Sequence, residues 1–181
     1  MGRPSKRAER RVDVARAFAR VLGAHGQGGA TIARVAAEAG VAPGLIHHHF
    51  KSKQDLYQAL LDELIAGLRR RTESSPAADP LHAYVDAALA LDERSDVAAA
   101  RAWVGVLAEA LYDPTLFARV RRVLDGEIAQ VERRSRGALS TADASAVVAF
   151  IVGALVLGAF APRKTAGFAA PSLLRFLAAL R

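Results

Sequence analysis

Between Thr31 and Asp55 the chain is punctuated so closely that only short helices fit. Thr31 is a side-chain N-cap ahead of Ile32, Val35, Ala36 and Ala39, apolar residues that share one helical face. Gly40 stops that helix, because glycine takes a left-handed C-cap without steric penalty. Val41-Ala42 completes the turn, and Pro43 at the first helical position starts the next helix. That helix must be short, since Phe50-Lys51 runs directly into Ser52. Ser52 with Asp55 three residues on reads as a capping box. It opens a long amphipathic helix with Leu56, Leu60, Leu64 and Leu68 in one stripe and Tyr57, Leu61 and Ile65 beside it, ending near Arg69, Arg70 and Arg71. Two short helices joined by a glycine-containing turn let the second enter a DNA major groove while the first crosses the backbone.

The rest of the chain reads in the same way. Apolar residues make up 52%, alanine dominates, and β-branched alternation is scarce, so the expected fold class is all-α. A first helix is expected over Lys6–Ala24, with Val14, Phe18, Val21 and Leu22 at helical spacing and Gly23, Gly26, Gly28 and Gly29 breaking it. Residues 72–79 read as loop. Asp79-Pro80 caps and starts a helix with Leu81, Tyr84, Val85, Ala88 and Leu89, which breaks at 92–96. Further helices carry Trp103, Val106, Leu107, Ala110 and Leu111, then Leu116 to Val131 within about 115–134. Ser140 and Asp143 form a second capping box ahead of an uncharged helix, and Pro171 opens a last one with Leu173, Leu174, Phe176, Leu177 and Leu180. The expectation is about nine helices. Residues 1–52 are expected to form a DNA-binding head, and 53–181 a connecting helix with a helical body, to which the resemblance given below assigns effector binding and dimerisation.

Charge separates the two parts. The formal charge is +7 over 181 residues; residues 1–71 hold 13 Arg and Lys against 6 Asp and Glu, and residues 72–181 hold 12 of each. A one-sided basic footprint attracts a polyanion, whereas a solubilising charge has no reason to stop at residue 71. Met1–Arg7 is basic without an apolar stretch behind it, so it reads as an arm for phosphates or a minor groove and not as a secretory signal. Residues 144–161 carry no charge and approach the length of a membrane span. They are rich in Ala and Gly, and Asp143 and Pro162-Arg163-Lys164 bound them. A helix apolar on every side is buried in a core or in a partner subunit, which leaves those two alternatives open. The expected location is cytoplasmic, with no membrane partner.

An enzyme is not expected. The chain lacks cysteine, a glycine-rich phosphate loop and a His/Asp/Glu set at metal spacing. His47, His48 and His49 are adjacent, but successive helical residues point about 100° apart and do not readily close on one ion. No metal and no cofactor are expected.

The stretch from Thr31 to Leu56 resembles the TetR-type transcriptional regulators. Ala39, Gly40, Val41, Gly44, His47, His49, Phe50, Ser52 and Lys53 fall on that family's pattern of threonine cap, Ala-Gly-Val-Ser turn, early glycine, aromatic or histidine pair, Phe and Ser-Lys. The resemblance covers about 45–50 residues. Leu45-Ile46 and the segment from Trp103 to Pro114 are similar to the branch of choline-responsive betaine regulators. Two departures remove polar groups near the start of the recognition helix: Ala42 stands where a serine is usual, and Leu45 where threonine is frequent.

The resemblance implies a regulator that binds a palindromic operator in double-stranded DNA as a homodimer and is released by a small-molecule effector. An activator, or a DNA-binding protein without an effector, shares these features. The candidate DNA-binding residues are Thr31, Arg34, Pro43, Gly44, Leu45, His47, His48, His49, Lys51 and Lys53. Among them Lys53 sits beside exposed N–H groups at a helix start, and Arg34 and Lys51 are backbone contacts or solvated charges. Candidate effector-pocket residues are Tyr84, Trp103, Leu107, Phe117 and Phe150, which line an apolar cavity or form core. For a quaternary ammonium, aromatic faces would bind by cation–π attraction, with Glu109 or Asp86 as counter-charge. Candidate dimer-interface residues are Val147, Ile151, Ala154, Gly158, Leu173 and Leu177, from the uncharged helix and the last one.

Overall fold

The computed structural model describes residues 6–89, 97–165 and 167–179. The helix break expected at 92–96, the arm at 1–5 and Leu180 lie outside the described residues. Among those described are nine α-helices and no strand, in agreement with the all-α expectation. They are α1 (Lys6–Gly29), α2 (Ile32–Ala39), α3 (Pro43–His49), α4 (Lys53–Glu73), α5 (Pro80–Ala88), α6 (Val97–Ala110), α7 (Pro114–Arg134), α8 (Thr141–Phe160) and α9 (Ala169–Ala179), with a 3-10 turn at Pro162–Lys164.

Most caps act as their residues dictate. Thr31 accepts from the Arg34 amide at 3.3 Å. Gly40 closes α2 at φ 65°, ψ 35°. Asp79 accepts from the His82 amide at 2.8 Å. The box at Ser140 is complete, and its hydrogen bonds hold the Asp143 carboxyl below its usual range. The expected box at Ser52 is only half formed. Ser52 accepts from the Asp55 amide at 3.2 Å, but Asp55 returns its bond to the Lys51 amide, at 2.8 Å, and not to Ser52. The acid thereby fixes the α3–α4 corner one residue earlier.

Four boundaries move, the first at α4, which runs on through Thr72 to Glu73 where a loop is expected. α1 runs past Ala24 and breaks only at Gly26, whose φ of 66° with ψ near 180° is open essentially to glycine alone. α9 starts at Ala169, so Pro171 stands inside the first turn, where a missing N–H costs nothing. Leu111 lies beyond the end of α6 and is exposed.

Apolar burial forms two clusters. The first joins Val14, Phe18, Val21 and Leu22 of α1 to Val35, Ala36 and Ile46 of the helix pair, to Leu56, Tyr57, Leu60 and Leu61 of α4, and on to Ala102, Val106, Leu116 and Val120 of α6 and α7. The second gathers α5, α8 and α9 around Tyr84, Val85, Val131, Val147, Ile151, Leu173 and Leu177. The helix pair therefore shares its core with α4, α6 and the start of α7. Close approach makes this joint tight: a Cβ at Gly105 would stand 2.7 Å from Leu22, and one at Gly23 would stand 3.0 Å from Ala98. Arg101 ties the same place together, donating to the Gly23 carbonyl of α1 at 3.1 Å and to the Ala159 carbonyl of α8 at 3.3 Å.

By length and composition α8 would pass for a membrane span. In this fold Ala144, Val147, Val148, Ile151, Ala154, Gly158 and Ala159 are buried in the chain's own core.

Candidate DNA interface and effector cavity

The helix pair presents α3 with its inner side anchored and its outer side free. Ile46 and Phe50 are buried in the first cluster, while Pro43, Gly44, His47 and His48 are exposed and Leu45 is half-buried. Ala42 makes no side-chain cap, Pro43 has no N–H, and the Leu45 amide donates to the Ala42 carbonyl at 2.9 Å. Thr31, Arg34, Lys51 and Lys53 are all exposed around this helix.

Two of these cations brace the end of α1 past its break at Gly26. Arg34 donates to the Gly29 carbonyl at 2.9 Å, and the Lys53 ammonium donates to the Gln27 carbonyl at 3.1 Å. His49 differs from its neighbours. It is half-buried, its Nδ1 is buried without a partner, and its ring meets His48 edge-on at 5.3 Å. Burial, then the charges of His48, Arg7, Arg11 and Arg10, lower its pKa, so the ring is neutral at neutral pH. Of the three histidines, His47 and His48 are therefore the ones turned outward.

Sequence reading missed Arg11. Its guanidinium lies 4.3 Å over the Phe50 ring and donates to the His49 carbonyl, a cation closing the C-terminal end of α3. The signal was present in the sequence as a basic residue on α1 ahead of Val14 and Phe18, but only the tertiary fold brings it to α3.

In the body a cavity of about 370 Å³ opens between α1, α4, α5, α6, α7 and α8. Tyr84, Trp103 and Leu107 lie on its wall, together with Leu124, Ile151 and Leu155. Phe117 and Phe150 do not line it. Phe117 is one residue past Leu116, which faces the core with Val120, so its ring turns about 100° away and is half exposed. Phe150 is out of phase with the lining face of α8, which is Val148, Ile151, Val152 and Leu155, and packs on the second cluster instead. Glu109 and Asp86 are also absent from the wall; Glu109 accepts from the Gln27 amide.

The charged lining comes from other residues. Glu63 accepts from Arg16 Nε of α1 at 2.8 Å and from Arg70 at 2.7 Å. Glu127 accepts from the Tyr84 hydroxyl at 2.8 Å, and the Arg134 guanidinium stands 5.6 Å over the same ring. Burial and the Glu127 charge push the Tyr84 phenol far above its ordinary range, so it acts as a neutral donor. Arg20, also on the wall, donates to Glu38 of α2 at 2.5 Å. Spacing could have hinted at this set: Arg16 and Arg20 are four apart on α1, and Glu63 and Arg70 are seven apart on α4.

The six expected dimer residues are all buried within one chain: Val147, Ile151, Ala154 and Gly158 on α8, Leu173 and Leu177 on α9. All but Gly158 belong to the second cluster, so the chain's own core takes them up. The outer face of α8 instead shows Ala142, Ala146, Ala149, Gly153, Val156 and Phe160, at alternating steps of four and three. Phe160 on this face is 78% exposed, and Phe168 and, on α9, Phe176 at 63% are exposed as well.

Comparison with known proteins agrees with this architecture. Residues 15–60 match the sequence profile of bacterial regulatory proteins of the tetR family. The HTH-type transcriptional regulator BetI of Escherichia coli O17:K52:H18 is 31% identical over 115 residues, covering 58% of each chain, and that of Agrobacterium fabrum is 41% identical over 61 residues. The matched region thus spans between 30% and 58% of the length of these curated relatives. A transcriptional regulator from Rhodococcus sp. Rha1 superposes with a TM-score of 0.78 at 22% identity, covering 92% of both chains. The multidrug binding protein EbrR, solved with imidazole, superposes at 0.66 with 25% identity over 93% of this chain and 89% of its own. The head is thus similar in sequence to that family, and the chain as a whole shares the fold of these two solved structures.

Proposed function

We propose that this protein is a sequence-specific transcriptional regulator, a repressor that binds a palindromic operator as a homodimer and lets go when a small molecule occupies the cavity. The observation that carries the reading is α3: a seven-residue helix anchored by Ile46 and Phe50, with its outer residues exposed among Arg34, Lys51 and Lys53. Such a helix supplies base contacts through Pro43, Gly44, Leu45, His47 and His48 while Thr31 and the flanking cations hold phosphates. The head residues 1–52 act as the DNA-reading unit and 53–181 as the part that senses and dimerises.

The dimer forms on the outer face of α8 and the adjoining face of α9. A seam of small residues at steps of four and three, ending in the exposed Phe160, together with the exposed Phe176 of α9, suits packing of helices across a two-fold axis. The cavity is the effector site. EbrR, described as multidrug binding, supports a ligand in this fold, and Arg16 and Arg20 make the head's own α1 part of the wall. A ligand there displaces α1 or α4 and with them the spacing of the two heads. Coupling is reciprocal, so operator DNA weakens the ligand by the same factor. The BetI matches favour a choline-type ligand, whereas the charges of the cavity favour another class, taken up below. A regulator of this kind works in the cytoplasm.

The DNA reading is tested at Lys53. Lys53→Ala, and Lys53→Gln as a variant that keeps a donor for the Gln27 carbonyl, should weaken binding to every duplex. Losing one phosphate contact should make the slope of log K against log [salt] shallower by about 0.9. A slope equal to that of the parent protein in both variants would remove Lys53 from the interface.

A further inference from the structure

The cavity has an unbalanced charge at its mouth. Arg16, Arg20, Arg70 and Arg71 line it, against only Glu63 and Glu127. Both carboxylates are already engaged: Glu63 by Arg16 and Arg70, Glu127 by the Tyr84 hydroxyl. Arg20 has Glu38. Arg71 has no carboxylate among the described residues; its Nε donates to the Ala87 carbonyl at 3.0 Å. Its guanidinium and that of Arg70 nevertheless converge. A Cβ placed on Gly67 would lie 3.4 Å from one Arg71 nitrogen and 3.7 Å from one of Arg70, so a nitrogen of each borders the surface over Gly67. Arg71 is exposed as a residue, but partial desolvation of its guanidinium and the Arg70 charge lower its pKa. Behind the mouth the lining is Trp103, Leu107, Leu124, Ile151 and Leu155.

The geometry points to an amphiphilic organic anion as the ligand of this cavity, its carboxylate or similar group held by Arg70 and Arg71 over Gly67 and its apolar body laid against Trp103 and Leu155. An arginine pair takes a planar carboxylate through paired N–H donors, and the anion relieves the repulsion between the two cations. A volume of about 370 Å³ lies within the usual range for small-ligand sites and leaves room for a chain or ring beyond the head group. The anion also competes with Glu63 for Arg70, and Glu63 is the carboxylate that holds Arg16 of α1. A bound anion thus loosens a tie between α4 and the head. This last step rests on the proposed role of the cavity as effector site; the ligand class does not.

The test uses three probes of equal length, octanoate, octanol and octylammonium, titrated into the full-length dimer and followed by Trp103 fluorescence, Trp103 being the only tryptophan. Octanoate should bind about tenfold or more tighter than octanol, since a hydrogen bond to a charged group is worth that much, and octylammonium should be weakest. Arg71→Gln, which keeps a donor for Ala87, should reduce octanoate binding to the level of octanol and leave octanol unchanged. Glu63→Gln should strengthen octanoate, a gain that misfolding does not produce. Octylammonium binding as tightly as octanoate, or a Glu63→Gln protein without that gain, would overturn the assignment. Operator DNA is then added to the octanoate complex. If octanoate binds as described but leaves operator affinity unchanged, the ligand class stands and the effector reading fails.

Discussion

Replacing Phe160 and Phe176 together by Asp should convert the protein from dimer to monomer and cut operator affinity by roughly 10²–10⁴-fold, the loss expected when two linked binding modules are separated. Both rings are largely exposed in the single chain and stand outside its core, so the substitution leaves folding intact. In a symmetric pair each Asp would meet apolar surface with no partner, and a buried unpaired charge is strongly destabilising for the interface. Sedimentation or light scattering reads the mass, and circular dichroism confirms that the helices remain. A dimer that persists in the double variant would move the interface elsewhere on the molecule. The contrast is Val147 or Leu173, whose substitution should damage the fold first, because both are core.

Phe18→Ala should cost about 3–5 kcal/mol, the range for deleting a large buried aromatic. Phe18 is fully buried and meets Tyr57 edge-on at 5.0 Å, with α2, α3 and α6 packed around the same cluster. Because that cluster runs from the helix pair to Ala102 and Val106, head and body should lose structure together. In urea, helix content and Trp103 fluorescence should shift to the same lower midpoint. Loss of helix content at an unchanged Trp103 midpoint would show instead that the head is a separate folding unit.

The head was legible because its signals are local. Thr31, Gly40 and Pro43 act on backbone within a few residues of themselves, and the structure places each where its chemistry requires. The same holds for Asp79 and Ser140. What the sequence could not separate was the two sides of α8. Val147, Ile151, Ala154 and Gly158 step by four and three, and so do Ala146, Ala149, Gly153, Val156 and Phe160; a helix apolar all round has no polar face to mark which seam turns outward. Only the packing of α6, α7 and α9 decides it. The cavity was half legible for a related reason. Aromatic residues drew attention to Tyr84 and Trp103, but helical phase excludes Phe117 and Phe150. The arginines and Glu63 meet across α1 and α4, separated by 47 positions for Arg16 and Glu63, a distance no local pattern spans.

The central claim, that two copies of α3 read DNA through a two-fold dimer, is tested most directly by selecting full-length protein against a pool of randomised duplexes and sequencing the retained DNA. Two half-sites related by a dyad are expected, with centres one helical turn apart, about 34–36 Å, or a multiple of it. An enriched sequence without a dyad, or retention that depends on salt and not on sequence, would contradict it.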